Sequence, residues 1–515
     1  MADDPDKILI RCREARMTKP GKLVLVTIIL LFTLVLFLQA AENDQHNCFT
    51  VLVGKKASAD GSVMVAHNED DYGEIVVNVR KIAPLNYGQP QKINLGRGAI
   101  FETDGRFNGF LWIEAVKQEF ADSFINEYGV LITSDACSSR ETKEDYTDGG
   151  IGYMLRMIVA EKAKSAREAV RLAGELVEKY GYSSSGRTYS IADKNEAWMV
   201  AIIRGRHWLA QRVPDDEVAV IPNFYTIRQI RLDDSDNFMG SLDIVEYAKN
   251  SGWYDETKEG PFDFKGVFDR PSKRDPIFDG NTLRVWRGLV KLSGKEWKID
   301  SDYPFSFRPA KKITIADLME LLRDHYEGTE FEATDGYKNG SPNRTKFRTI
   351  CTSSTINSFV ACLNNQKPEP LSILVWLALD KPDTTAFLPV YYGLERLPDG
   401  LGHSPAIQDN ATFLKQHYDD TELQAVRDKL LQTRAVKFKK IVENNYGQMI
   451  GVVQRELLAL EKEYLEGYEL FETKFSTLFS RDKKAAGEYL NEFVTSAFRR
   501  VSGIYDKLLK KFKTS

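Results

Sequence analysis

Cys48 is the residue whose type and position point most directly to chemistry. It follows a short polar stretch, Glu42 to Asn47, and opens an apolar segment. A thiol is a weak nucleophile until a neighbouring base takes its proton. If cleavage between Asn47 and Cys48 freed the α-amine, whose reference pKa is ~7.7 to 8.0, that amine would itself be the base. This arrangement predicts an amide hydrolase whose nucleophile and base belong to one N-terminal residue.

The elements that must position this thiol are visible in the pattern of apolar residues. Phe49 to Val53 alternate as in a strand, Gly54 to Ser62 form a turn, and Val63 to Val65 begin a second strand, so a β-hairpin starts at the cysteine. Farther along, short strand patterns arrive in pairs with helical periodicity between them. This order predicts antiparallel sheets covered by helices rather than a parallel sheet. Residues 411–515 are predicted to be helical.

The segment after Cys48 resembles the start of the mature dipeptidase A family, which are N-terminal nucleophile cysteine peptidases. The shared pattern is a leading Cys, a GKKASADGS turn (54–62) and an AHNED element (66–70). The resemblance extends to residue 393, and several long ordered matches are more specific than one short motif. The further matching segments, in order, are NEYGV (126–130), SIADKNEAWMV (190–200), GRHWLAQRVPDDEVAVIPN (205–223), NTLRVWR (281–287), ITIADLMELLRDHYEGT (313–329) and LSILVWLALDKPDTTAFLPVYYG (371–393).

This family is related to the secernins and to the penicillin V acylase and choloylglycine hydrolase group. The resemblance implies an α+β fold, a four-layer αββα sandwich of antiparallel sheets over residues 48–410, with residues 411–515 as a helical C-terminal region packed on that domain. It also implies a dipeptidase that hydrolyses small peptide substrates through a thioester acyl-enzyme. No metal and no cofactor are expected.

The resemblance assigns roles to individual residues. Asp70 is expected near the new α-amine, where it would hold the amine and the thiol in place. Asn223 is expected to donate its amide to the developing oxyanion. Arg284 falls where related acylases place an arginine near the nucleophile, and it would hold a substrate carboxylate or favour the thiolate. Arg287 competes for that role as a substrate-binding residue. His67 stands where relatives carry arginine and is expected to line the site.

The N-terminus carries an export signal. Leu23 to Ala41 is an apolar run without charge, and a lysine- and arginine-rich flank precedes it. Residues 1–41 are therefore predicted to be a signal peptide or an uncleaved signal anchor, and residues 42–47 a short propeptide. Translation from Met17 instead of Met1 would give the proportions of a cleavable signal. Either way the domain is expected outside the cytoplasm, with a membrane tether through residues 23–41 as the open alternative.

Composition argues against other classes of protein. Lysine and arginine number 70 against 74 aspartate and glutamate, a net charge of −4, and no long basic run follows the leader, so nucleic acid is not an expected partner. The five cysteines are scattered without CxxC spacing, which argues against a zinc site and a disulfide scaffold. Whether the chain forms a homo-oligomer stays open.

Two alternative functions stay open at this point. The first is an acylase or amidohydrolase of the same fold that cleaves non-peptide amides. It stays open because the shape of the pocket cannot be read from a sequence. The second is a secernin-like protein that binds without catalysis. A removable segment ahead of Cys48 argues against the second, because a binding protein has no need of a free terminal amine.

The sequence predicts that the mature chain begins at Cys48. We expect N-terminal sequencing and the intact mass of the processed protein to place the first residue there, because the amine can act as the base only at a terminus. Replacing Asn47 and Cys48 separately would show which residue directs the cleavage. A mature chain that begins at Met1, Met17 or Glu42 would contradict the prediction, since Cys48 would then be internal.

Overall fold

The strands and helices described below come from a computed structural model. It describes residues 48–71, 75–270, 275–300, 302–332, 334–344, 347–404 and 415–513. The predicted leader (1–41), the predicted propeptide (42–47) and the predicted domain boundary at residue 410 lie outside the described residues. None of the described helices is both long enough and apolar enough to cross a membrane.

The described strands all lie between Phe49 and Tyr391. In chain order they are β1 (Phe49–Val53), β2 (Val63–Asp70), β3 (Val77–Ile82), β4 (Leu85–Asn86), β5 (Gln91–Asn94), β6 (Ile100–Thr103), β7 (Arg106–Phe107), β8 (Phe110–Ala115), β9 (Ser123–Asn126), β10 (Leu131–Ala136), β11 (Tyr182–Ala192), β12 (Ala197–Gly205), β13 (Trp208–Val213), β14 (Val218–Ile221), β15 (Phe238–Gly240), β16 (Thr355–Leu363), β17 (Ile373–Ala378) and β18 (Leu388–Tyr391).

The helices fall between the strands and then dominate the C-terminal part. They are α1 (Met154–Lys162), α2 (Ala166–Tyr180), α3 (Ile244–Asn250), α4 (Glu256–Glu259), α5 (Phe264–Phe268), α6 (Gly280–Ser293), α7 (Ile315–Leu322), α8 (Thr421–Val426), α9 (Leu431–Asn444), α10 (Tyr446–Phe479) and α11 (Lys483–Lys513). Short 3₁₀ turns occur at Pro276–Phe278, Pro342–Arg344, Glu369–Leu371 and Arg427–Lys429.

Two antiparallel sheets form the centre of the fold. The first sheet has the order β14-β1-β2-β16-β17-β18, and the second has the order β15-β13-β12-β11-β10-β9-β8-β3. The predicted hairpin is confirmed, because β1 and β2 are adjacent and pair antiparallel. β1 and β2 are interior strands of the first sheet and their residues are buried, as expected for strands covered on both faces.

The sheets face each other, and each carries helices on its outer side. Thr50 of β1 reaches across to Asp135 of β10, with 2.6 Å between Oγ1 and Oδ2, so these two strands face each other. The neighbouring Phe49 points the other way, because a Cβ built on Gly288 of α6 would lie 3.5 Å from its ring. On the far side of the second sheet, aromatic residues such as Trp112 share a core with α1 and α2. The expected four-layer αββα sandwich is therefore confirmed.

The C-terminal helices extend the helical layer on the first sheet. Tyr468 of α10 meets Trp376 of β17 edge to face, with ring centroids 5.9 Å apart. Phe471 of α10 contacts Tyr391 of β18 at 5.9 Å and stacks on Phe493 of α11 at 3.8 Å. The expected helical C-terminal region is confirmed, and its apolar face belongs to the same core as β1 and β2.

Helix α2 packs so closely on the second sheet that its glycine has no room for a side chain. A Cβ on Gly174 would lie 2.0 Å from the indole ring of Trp208 on β13. We therefore expect Gly174→Ala to lower the free energy of unfolding by about 1–3 kcal/mol, as overpacking of a core does. Urea unfolding followed by circular dichroism would measure it.

Gly451 of α10 supplies a matched control, because nothing lies within 4 Å of the Cβ that a substitution would add. Gly451→Ala should leave stability unchanged or raise it by about 0.4–1 kcal/mol, through the smaller entropy of the unfolded chain. Equal effects of the two substitutions would contradict the described packing of α2.

Candidate active site

Strand register brings three polar side chains to one end of the first sheet. Cys48 immediately precedes β1, in which Thr50 lies opposite Ile221 of β14. Extending this antiparallel register by two residues places Asn223 opposite Cys48. On the other side, the pairing of β1 with β2 places Glu69 opposite Cys48 in the same way. A thiol, an amide and a carboxylate therefore meet because β1 lies between its two neighbours.

The thiol of Cys48 is held as a hydrogen-bond donor in an acidic environment. Its Sγ lies 2.9 Å from Oε1 of Glu69 and donates to it. Burial raises the pKa of the Cys48 thiol well above its ordinary value, and the negative charges of Glu69, Asp135 and Asp70 raise it further. In this arrangement the thiol is neutral at pH 7, and ionising it requires an added base or an added positive charge.

A line of hydrogen bonds runs from the thiol toward the second sheet. Oε2 of Glu69 lies 3.1 Å from Nε2 of His67, and Nδ1 of His67 lies 2.7 Å from Oγ1 of Thr50. Thr50 in turn donates to Oδ2 of Asp135 at 2.6 Å. Burial raises the pKa of Asp135 to about 7. His67, expected to line the site, is instead fully buried within this line, between Glu69 and Thr50.

Asp70 lies on the wall of the same cavity as Cys48. Its Oδ1 accepts a hydrogen bond from Thr355 at 2.6 Å, and its Oδ2 accepts one from Arg348 at 2.8 Å. Burial raises the pKa of Asp70, while the charges of Arg348 and Arg284 oppose that rise. The structure therefore brings Asp70 close to the thiol and anchors its carboxylate from the opposite side.

Arg284 connects Cys48 to Asn223. Helix α6 begins where the side chain of Asp279 caps Asn281 and Thr282, and this start points Arg284 back toward β1. Nη1 of Arg284 donates to the carbonyl oxygen of Cys48 at 3.0 Å, and Nη2 donates to Oδ1 of Asn223 at 2.9 Å.

The contact with Arg284 fixes which way the amide of Asn223 points. A guanidinium can only donate, so the atom facing it is the amide oxygen and the amide nitrogen points away from it. That nitrogen, Nδ2, is buried and has no hydrogen-bond partner among the described residues. A buried donor without a partner is costly, and an oxyanion placed there would satisfy it.

Arg287 lies one turn farther along α6 and is directed elsewhere. Its Nε lies 2.8 Å and 2.9 Å from the two carboxylate oxygens of Asp324, and its Nη2 donates to the carbonyl oxygen of Glu327 at 2.8 Å. The structure thus groups Cys48 with Asn223 and Arg284, whereas Arg287 ties α6 to the segment after α7.

The thiol opens into a cavity of about 230 Å³. The residues that line the cavity lie near the end of β1 and include acidic and basic side chains. They are Cys48, Glu69, Asp70, Asp71, Gln118, Glu119, Phe120, Ala121, Ala136 and Arg187.

Four residues of this site were not predicted from the sequence: Thr50, Glu69, Asp135 and Arg187. The alternation of side chains along a strand indicates two of them, because residues two positions apart share a face. Thr50 lies two residues after Cys48, and Glu69 lies two residues after His67. Asp135 and Arg187 come from the other sheet, so no local pattern could have placed them here.

Two groups of side chains have the ligand types of a metal site within the described part of the chain. Cys48, His67 and Glu69 form one, and His325, Cys351 and Asp383 form the other, with ligand atoms within 4.8 Å of each other. In the first group the three side chains already bond to one another. In the second, the ammonium of Lys381 lies 3.1 Å from Asp383 and repels a cation.

Comparisons with known proteins point to one family. The profile of Peptidase family C69 matches residues 47–96 and 130–410. A probable dipeptidase of Latilactobacillus sakei is 27% identical over 430 residues, which cover 77% of this chain and 88% of the relative. Dipeptidase A of Lactobacillus helveticus is 28% identical over 391 residues, which cover 72% and 80%. Penicillin V acylase from Agrobacterium tumefaciens superposes with a TM-score of 0.33 and 14% identity, over 67% of this chain and 85% of the acylase.

The contact between Cys48 and Glu69 predicts how the thiol titrates. Glu69→Gln removes a negative charge that raises the pKa of the Cys48 thiol, so we expect the thiol of the variant to have the lower pKa. The rate of alkylation by iodoacetamide against pH would measure it, with Cys48→Ala giving the background from the other cysteines.

Glu102→Gln is a suitable control, since Glu102 forms an exposed ion pair with Lys92 away from the cavity. It should leave the alkylation profile of Cys48 where it was. A Glu69→Gln profile that stays in place or moves to higher pH would show that the Glu69 carboxylate does not govern the thiol.

Proposed function

The chain belongs to Peptidase family C69, and we propose that it is a dipeptidase in which Cys48, as the first residue of the mature chain, is the nucleophile. One observation carries this proposal. The Cys48 thiol and Nδ2 of Asn223, which has no partner among the described residues, lie on adjacent strand ends, where the register places the two residues opposite each other. A nucleophile and an oxyanion donor at that spacing are what acyl transfer from an amide requires. The relatives named dipeptidases support the substrate class.

In the proposed reaction the free α-amine of Cys48 accepts the thiol proton, and the sulfur attacks the peptide carbonyl carbon. The carbonyl oxygen becomes an oxyanion and accepts a hydrogen bond from Nδ2 of Asn223. The C–N bond then breaks, the leaving amine takes the proton from the α-ammonium, and a thioester remains on Cys48. Water, deprotonated by the same α-amine, attacks the carbonyl carbon of the thioester. The C–S bond breaks, the α-ammonium returns its proton to the sulfur, and the N-terminal amino acid of the substrate is released.

Cleavage of the chain before Cys48 also changes the electrostatic environment of its thiol. While Cys48 is internal, three carboxyl groups and burial keep its thiol protonated. Cleavage adds an α-amine that carries a positive charge when it holds the thiol proton, and a nearby positive charge favours the thiolate. We therefore expect the precursor to be inactive for an electrostatic reason as well as for want of a base.

Arg284 acts as a positioning residue in this scheme. It is fully buried, and its contacts with the Cys48 carbonyl and with Oδ1 of Asn223 hold the nucleophile and the oxyanion donor at a fixed separation. Asp70, anchored by Arg348 and Thr355, supplies a fixed negative charge beside the site for an ammonium group.

The cavity favours dipeptides over the larger amides of the alternative acylase function. Pockets for drug-sized ligands usually measure ~300–1,000 Å³, and the cavity beside Cys48 measures about 230 Å³. The charged groups on its wall suit a substrate with free termini better than an apolar acyl chain.

We also propose that the peptidase domain acts outside the cytoplasm. The apolar run Leu23 to Ala41 with its basic flank supports export, and a tether through that run follows if it is not cleaved.

The test of the proposed function compares unblocked dipeptides with their N-acetylated forms. Purified mature enzyme should hydrolyse the unblocked dipeptides at least about 10²-fold faster, because the acetyl group removes the charge that the acidic wall recognises. Cys48→Ala should lower kcat at least about 10⁴-fold, as loss of a covalent nucleophile does.

Cys362→Ser is the matched control, because Cys362 is a buried thiol on β16 that does not line the cavity. It should retain activity per folded molecule. Cys48→Ala with full activity, or a preference for the N-acetylated substrates, would contradict the proposed function.

A further inference from the structure

Arg187 is a buried arginine on the wall of the cavity that contains Cys48. Its side chain extends from β11, is 7% exposed and lines the cavity wall. Nη1 donates to Oγ of Ser134 at 3.2 Å, and Nε is buried with no hydrogen-bond partner among the described residues. Within the part of the chain that the structure describes, Arg187 forms no ion pair, although it carries five N–H donors.

Arg287 shows how another buried arginine of this molecule is paired. Arg287 is equally buried, at 7% exposure, and it is neutralised by both carboxylate oxygens of Asp324. Burying a guanidinium without such a partner is costly, so a buried charge is normally paired. Arg156 also forms no ion pair among the described residues, but it lies outside the cavity, whereas Arg187 lines it. An anionic ligand that enters the cavity can therefore supply the partner that Arg187 lacks within the described residues.

The loop that covers Arg187 holds it in place at a conformational cost. Phe120 places its ring with the centroid 4.4 Å from the guanidinium carbon of Arg187. To do so, Phe120 adopts a φ of 135°, and Lys117 in the same loop has a φ of 67°. Non-glycine residues with positive φ are strained, and such strain persists mainly where the surrounding structure or the function requires it. The ring stacks on the cation but cannot neutralise it.

The rest of the cavity wall carries the opposite charge. Four carboxylate residues, Glu69, Asp70, Asp71 and Glu119, line the same space as the single cation Arg187. A small molecule that carries one ammonium and one carboxylate complements such a wall. A dipeptide, whose ends lie at most about 7 Å apart, has that charge pattern and fits a cavity of about 230 Å³.

We propose that Arg187 binds the α-carboxylate of the dipeptide and thereby selects substrates that end one residue after the scissile bond. This inference rests on the proposed function and deepens it. In a longer peptide a neutral amide would stand where the carboxylate should be, and the guanidinium would remain unpaired. Arg187 thus takes the role of carboxylate receptor, for which the sequence offered Arg284 and Arg287.

The test uses L-alanyl-L-alanine and its C-terminal amide, which differ only in the group that Arg187 is proposed to bind. Wild-type mature enzyme should have a kcat/KM at least about 10²-fold higher for the acid, because truncating one partner of a buried charge pair has effects of this size or more. Arg187→Met should lower kcat/KM for the acid by about the same factor, chiefly through KM, and should leave the amide nearly unchanged. Arg187→Lys should restore part of the preference, since it keeps the charge but not the fork.

Arg156→Met is the matched control. Arg156 is also buried and also donates to Ser134, at 3.3 Å, but it does not line the cavity. A loss of stability in this variant should affect the acid and the amide equally, so the ratio of their kcat/KM values should stay at the wild-type level. An Arg187→Met enzyme that keeps the wild-type ratio would overturn the inference.

Binding separates this inference from the proposed function. Isothermal titration of the acid and of the amide into the mature Cys48→Ala variant requires no turnover. Stronger binding of the acid, lost on adding Arg187→Met, supports the carboxylate site even if the wild-type chain hydrolyses neither compound. Equal binding of acid and amide would overturn the carboxylate site even if dipeptides are hydrolysed.

Discussion

The antiparallel pairing of β1 with β14 on one side and β2 on the other is the constraint on which the site depends. This register determines what lies beside Cys48: Asn223 on one flank and Glu69 on the other. A slip of one residue would turn every side chain of β1 to the opposite face, and Thr50 would no longer meet Asp135. Burial of β1 on both faces specifies the register strongly, so the core and the site are stabilised by the same pairing.

The distribution of charges around Cys48 is the second feature of the site. The carboxylates near Cys48 raise the pKa of its thiol, and on the same wall they are the groups proposed to receive a substrate ammonium. Arg187 lines the same cavity and forms no ion pair within the described part of the chain, and Arg284 holds the amide of Asn223 in one orientation. A cavity wall with four carboxylate residues and one arginine suits the zwitterionic ligand proposed above.

Much of this fold follows from local patterns. Alternating apolar residues predicted the hairpin at Cys48, paired strand patterns predicted antiparallel sheets, and helical periodicity predicted the C-terminal helices α8 to α11. Of the predicted site residues, Cys48, Asp70, Asn223 and Arg284 converge at one end of the first sheet, while His67 lies inside the hydrogen-bonded line and Arg287 pairs with Asp324. Arg284 and Arg287 belong to one helical motif, yet their spacing of three residues directs them to different partners.

The sequence by itself determined the candidate nucleophile, the strand that carries it, the alternation of elements and the family resemblance, because these depend on neighbours in the chain and on short periodicities. Only the tertiary structure decided which charges surround the thiol. Thr50 meets Asp135, 85 residues farther along the chain, and Arg187 reaches the cavity of Cys48, because the two sheets pack face to face. Contacts between layers depend on side-chain direction and on the distance between sheets, and neither leaves a local mark in the sequence.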